Sequence, residues 1–157
     1  MTEEEIIRFV GGLPGVVSVT ASAGNGAPEV SWGDSFFFYD PDGTLPGDRR
    51  LPFATIVIHN YAGFDTSSNL DRPGVFRLNI AVGRERFAEL FGYPPAEHAQ
   101  RSAGIDYAEL DRVVPNPVYA AQGWAAILCP GERTSDVARS LITYAHERAR
   151  QRYRPHR

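Results

Sequence analysis

Apolar positions recur along this chain with two periods, and the most regular run, residues 75–82, alternates strictly. Phe76, Leu78, Ile80 and Val82 fall on one side of a strand there; Val75, Arg77, Asn79 and Ala81 fall on the other. The first set suits a buried sheet face. The second sets an arginine and an amide mid-strand, where Thr or Val would be the ordinary choice. Residues 16–22 and 53–59 also read as strands, and residues 124–129 as the last one. Four consecutive aromatics in 36–39 predict a strand buried on both faces. Gly24-Asn25-Gly26 predicts a hairpin turn, with 28–32 as the return segment. Residues 113–119 are extended and interrupted by two prolines, so they form an edge strand or a loop.

Helical spacing appears at both ends and in the middle. Thr2 and Glu5 have capping-box spacing, and Ile6, Phe9 and Val10 make an inward stripe before Gly11-Gly12. Residues 84–91 form a short helix that turns Phe87, Leu90 and Phe91 inward; Gly92 caps it and Pro94-Pro95 prevents its continuation. Asp106 and Glu109 repeat the capping-box spacing and predict a turn or two of helix to Arg112. Thr134 or Ser135 caps a final helix, whose stripe runs through Val137, Leu141, Tyr144 or Ala145, and Arg148. Asp40 to Gly43 is a turn, followed by a polar loop to Arg50; residues 61–74 form a long polar connection. This order of elements predicts an α+β fold: one domain over 1–149, with an antiparallel sheet of about four to six strands carrying the N- and C-terminal helices on one face. Residues 150–157 read as a basic tail outside the core.

Composition sharpens this in three ways. The chain has 157 residues, 43% of them apolar, enough for a real core. All sixteen basic residues are Arg, and five of them (148, 150, 152, 154 and 157) lie in the last ten residues. The body up to Glu147 therefore sets eleven arginines against nineteen acids, a net −8, while the tail carries +5. An acidic body speaks against a duplex-binding surface, which needs clustered cations. The first stretch, MTEEEIIRFVGG, is acidic and amphipathic, unlike a signal peptide or a membrane span, so a cytoplasmic protein is expected.

Several long strings resemble one family. SWGDSFFFYDPDG (31–43), PFATIV (52–57), GFDTSSNLDRPGVFRLNIAVGRERF (63–87), LFGYPPAEH (90–98) and NPVYAAQGW (116–124) are similar to an actinobacterial domain of unknown function, family 6194. That resemblance implies no activity and no catalytic residue. Shorter signals, LPGV (13–16), a mid-chain strand entering a helix, and a late tryptophan strand before a terminal helix, resemble MmcQ/YjbR-like proteins. Kinship with them would imply a frataxin-like α+β fold and, by their usual label, DNA binding.

Candidate chemistry centres on the polar strand face. If 53–59 pairs with 75–82, His59, Arg77 and Asn79 share a face. Arg clamps a carboxylate or phosphate bidentately and Asn orients a neighbour, which makes a ligand site. The same residues also suit the wet face of a half-covered sheet, or an Arg77 paired with Asp65 or Asp71. Asp65 and Asp71 themselves suit local backbone turns, and their spacing matches no Ca²⁺ loop. His59 with Asp65 is an acid–base candidate. Trp32 is a candidate stacking residue or a core aromatic needing a partner for its N–H. His59, His98, His146 and His156 are far apart, and the chain has one cysteine, so no metal and no cofactor are expected. No serine sits in a nucleophile elbow and no glycine run forms a phosphate loop. The leading expectation is a non-enzymatic binding module for a small anionic ligand or a protein partner. A cofactor-free, hydrolase-like enzyme using His59 and Asp65 is the alternative, and DNA binding the third.

Overall fold

The computed structural model describes residues 1–45 and 51–155. Residues 46–50 of the polar loop and residues 156–157 of the tail, including His156, lie outside the described residues. Six strands, β1 (Val16–Thr20), β2 (Ser35–Tyr39), β3 (Ala54–Val57), β4 (Arg77–Ala81), β5 (Val113–Pro115) and β6 (Trp124–Leu128), form one sheet in the order β1-β2-β3-β4-β6-β5. Every strand pair is antiparallel. Four helices accompany it: α1 (Glu3–Gly11), α2 (Gly83–Phe91), α3 (His98–Arg101) and α4 (Ser135–Arg152). The α+β antiparallel architecture read from the sequence is the one observed. Among the described residues, no helix is long and apolar enough to cross a membrane.

Register assigns each side chain to a face. Leu78 and Ile80 of β4 stand opposite Ile56 and Ala54 of β3, and Leu78 opposite Ile127 of β6. These residues join Phe37 of β2, Ile6 and Val10 of α1, Phe87 of α2, and Leu141, Ile142 and Ala145 of α4 in one buried cluster. The helices therefore cover a single face of the sheet. The alternate residues, Thr55, Val57, Arg77, Asn79, Ala126 and Leu128, form the second face, which the connection between β3 and β4 covers in part: Leu70 packs there on Val57 and Leu128. Phe37 is fully buried, whereas Phe36 and Phe38, on the second face, are only half-buried, so β2 is not enclosed on both sides as its composition suggests.

Local chemistry explains the helix ends, and corrects three sequence expectations. The Thr2–Glu5 capping box forms reciprocally, at 3.1 and 3.0 Å. Residues 106–112, by contrast, are not helical. The Asp106 carboxylate accepts from the Ala108 amide, an Asx turn that competes with helix nucleation. Asp111 adopts φ 56° and turns its carboxylate onto the start of α4. It accepts from the amides of Gly131, Arg133 and Thr134 and, at 2.6 Å, from the Thr134 hydroxyl. An acid from a distant loop thus fills the capping role expected of Thr134 or Ser135. Residues 28–32 make a single 3₁₀ turn and no strand, so β1 pairs with β2 across a longer loop; the Asn25 side chain braces that loop through the Ser22 amide and the Thr20 carbonyl.

The tail is also shorter than its composition suggests. Helix α4 continues to Arg152, and the Tyr153 ring meets Tyr39 edge-on at 5.4 Å while its hydroxyl bonds Asp42. A boundary at residue 150 would cut the helix. The basic residues prolong it because cations suit a helix C-terminus and because Arg150 pairs with Glu147 one turn back.

The bonds to Asp111 hold its carboxyl at about 2, below the ordinary 3.8, the Thr134 hydroxyl being the largest cause. A depressed carboxyl stabilises the fold above its unfolded value and ceases to do so as pH falls through its folded one, so this contribution disappears between about pH 4 and pH 2. Asp111→Asn keeps an acceptor and tolerates the left-handed backbone but loses the charge. It is expected to cost about 1–2 kcal/mol at neutral pH and to flatten the acid limb of stability, read by urea melts across pH.

Candidate functional site

Strand β4 supplies the centre of the second face. Arg77 is 2% exposed and donates bidentately to Asp65, Nη1 to Oδ1 at 3.0 Å and Nη2 to Oδ2 at 2.6 Å. Nη1 also reaches the Ser68 hydroxyl at 3.0 Å, and Nε reaches Asn79 Oδ1 at 2.7 Å. These bonds occupy four of the five donors of a guanidinium. Asn79 Oδ1 accepts a second bond, from Asn116, and its amide donates to Thr55 Oγ1. Asn116 in turn accepts from the Val118 and Tyr119 amides and holds the turn before β6. A polar spine therefore ties β3 and β4 to both loops that cover this face.

The β3–β4 connection is shaped to present Asp65. A short antiparallel bridge, Tyr61 to Asp65, closes its first turn with backbone bonds of 2.8 and 2.9 Å. Asn60 accepts from the Leu70 amide, and Arg72 donates to the carbonyls of Ser68, Asn69 and Ala108. With its ends and middle so tied, the loop holds a carboxylate over Arg77 without help from secondary structure.

Beside this spine opens a cleft of about 1040 Å³, at the upper limit of the size range of small-molecule sites. Its floor includes Thr55 and Asn79, and aromatic side chains of Phe36, Phe64, Tyr119 and Trp124 wall it. Tyr119 meets Phe64 at 6.3 Å between ring centroids and Trp124 at 6.4 Å. Phe64 and Tyr119 are 60% and 46% exposed. The far end is basic: Arg148, Arg152 and Arg154 all line it. Asp65 is the one acid on the lining among the described residues, and Arg77 already neutralises it.

Arg148 is placed with care. Its Nη1 donates to the Ala81 carbonyl at 3.0 Å, and it crosses Gly83, where an added Cβ would stand 2.4 Å from its Cζ. Gly83 has φ +84°, so no other residue fits easily at the β4–α2 junction. Burial, and then the charge of Arg152, lower the Arg148 pKa from its ordinary value.

Comparison with known proteins follows the sequence resemblance. A family model described as a family of unknown function (DUF6194) matches residues 1–157. The chain belongs to that family. No curated protein and no solved structure matches it, and the MmcQ/YjbR-like resemblance gains no support.

In this DUF6194 protein the residues singled out from sequence separate into four places. Arg77, Asn79 and Asp65 meet in the spine. His59 does not meet Asp65. It lies with Nε2 3.6 Å from Asp34 and its ring 5.1 Å from that of Tyr61, because the Asp65 oxygens are taken by Arg77. Asp71 points away and accepts from the Asn60 amide, and Trp32 donates to the Ala27 carbonyl on an outer turn, off the cleft lining. Among the described residues no group of three His, Cys, Asp or Glu has metal-holding geometry.

Asp34, the residue beside His59, is fully buried and accepts from the Ile58 amide and the Tyr61 hydroxyl. Burial raises the pKa of its carboxyl, and burial and the bond to Asp34 raise that of the Tyr61 phenol. Asn116 was signalled by its place between two prolines, a turn setting for an Asx side chain. Arg148 was signalled by falling on the apolar stripe of the last helix.

Arg77→Ala strands Asp65 in a buried site and is expected to cost about 3 kcal/mol or more in urea melts. The double variant Arg77→Met with Asp65→Leu should recover much of that loss, since a desolvated pair is often no better than an apolar one. A silent single variant would remove the spine from the account of stability.

Proposed function

We propose that this protein is a binding module for a small anionic ligand, and that the ligand occupies the cleft with its charge at Arg148. One observation carries the reading: a half-buried guanidinium, fixed by the Ala81 carbonyl, sits at the basic end of a cleft whose sole acid among the described residues is already paired. Arg148 and Arg152 are four residues apart on α4, a spacing at which like charges repel. Neither forms an ion pair with a carboxylate among the described residues, whereas nearby Arg150 does. The helix dipole favours cations in the last turn, which accounts for Arg150 and Arg152. It does not account for a third arginine turned into a recess and partly desolvated. An anion bridging Arg148 and Arg152 would relieve both the burial and the repulsion.

The site differs from the one centred on Arg77. Arg77 and Asn79 shape the floor through the spine and leave recognition of charge to α4. Concavity favours a small molecule over a protein partner. The acid–base reading has less geometric support, since Asp65 is engaged by Arg77 and His59 lies off the cleft lining. The net charge of −3 makes the arginines at the C-terminal end a local exception, which is the arrangement that steers an anion to one place.

A thermal-shift screen against carboxylates, phosphates and sulfonates tests this. A ligand at a hundred times its Kd should stabilise the protein by about 2.7 kcal/mol, a shift of several degrees. Arg148→Gln should leave the unliganded melting temperature within about 2 °C and abolish the shift. Equal shifts in both proteins would place the anion elsewhere.

A further inference from the structure

The cleft walls say more about the ligand than its charge. We infer that the ligand is a ring-bearing organic anion: an aromatic or other flat body lying against Phe36, Phe64, Tyr119 and Trp124, with one acidic group at Arg148 and a hydrogen-bond acceptor near its middle. This rests on the preceding reading that the cleft binds an anion. Three observations select the class. Phe64 and Tyr119 remain largely exposed although each touches another aromatic ring, an apolar surface that folding leaves uncovered. The Phe64–Tyr119 pair is inclined at 63° and the Tyr119–Trp124 pair at 51°. Both ring faces and ring edges are thus offered, and these pair favourably with another aromatic system. Finally, the floor is not apolar. Thr55 Oγ1 accepts from Asn79, which leaves its own O–H free to donate, and Gln122 brings an exposed amide to the lining. An alkyl chain would leave those groups facing hydrocarbon, at a cost that a ligand carrying a carbonyl or hydroxyl avoids. A bare inorganic anion would use the arginines and leave the aromatic wall empty.

The two tryptophans make the test direct. Trp32 lies off the cleft and Trp124 on its wall, so Trp32→Phe leaves one reporter at the site. Anilinonaphthalene sulfonate, an aromatic anion that accepts energy from tryptophan, should bind this variant saturably with one-to-one stoichiometry and quench Trp124. Naphthoate should displace it at lower concentration than laurate, and millimolar inorganic phosphate should not displace it. Arg148→Gln and, separately, Tyr119→Ala should each weaken naphthoate about tenfold or more, equivalent to about 1.4 kcal/mol. Arg101→Gln, off the cleft lining, should change nothing. Tyr119 is exposed, so its truncation spares the fold, and circular dichroism of each variant confirms this. Laurate displacing better than naphthoate overturns the ring-bearing class. So does phosphate binding that depends on Arg148 and not on Tyr119, while the anion reading survives. Probe binding indifferent to both Arg148→Gln and Tyr119→Ala overturns the ligand class and the cleft site together.

Discussion

The buried Arg77–Asp65 pair is the constraint on which the second face of this sheet depends. An arginine that is 2% exposed is tolerable only where its donors are met, and here a carboxylate, a hydroxyl and an amide oxygen meet them. Meeting them fixes more than one side chain. Asp65 must hang over β4, so the β3–β4 connection must fold back on the sheet. Asn79 must turn toward Arg77, which aligns it with Thr55 on one side and Asn116 on the other. The spine converts two irregular segments into rigid walls, and those walls bound the cleft.

The two sheet faces divide the work. Helices α1, α2 and α4 bury the apolar face and supply the bulk of the core. The opposite face is covered only where the loops reach, and the uncovered remainder is rimmed with aromatics. Helix α4 links the two sides. Its middle packs Leu141, Ile142 and Ala145 into the core, while its end carries Arg148 and Arg152 to the cleft. Asp111 grips the start of the same helix.

Two kinds of arginine are therefore present, and burial with partners tells them apart. Arg77 is a saturated structural cation. Arg148 is half-buried, bonded to one carbonyl, and accompanied by a like charge. A group held ready in that state is what an anion-binding surface requires, because the cost of orienting it has been met during folding. Membership in DUF6194 brings no activity to this conclusion; the reading rests on the geometry.

Alternation over 75–82 determined which residues of β4 face the helices, and capping chemistry at Thr2 determined where α1 starts. Aromatic and β-branched runs marked the other core strands, though not 28–32, where the backbone closes a 3₁₀ turn. Even the pairing of Arg77 with Asp65 stood among the readings of the bare sequence, because a lone mid-strand arginine needs an acid and few were near. Such features are local, set by period and by neighbours within a turn or a strand. The cleft was not legible in that way. Its aromatic wall draws on Phe36, Phe64, Tyr119 and Trp124, and its basic end on α4, segments brought together only by the strand order and by the loops folded over the sheet. Arg148 stood out on an apolar helical stripe, but nothing in sequence spacing says that the stripe runs past the core edge into an opening. Asp111 looked like the end of a helix and proved to be the anchor of another, the one that starts at Ser135. Contacts of that range depend on where whole elements pack, and only the tertiary structure decides them.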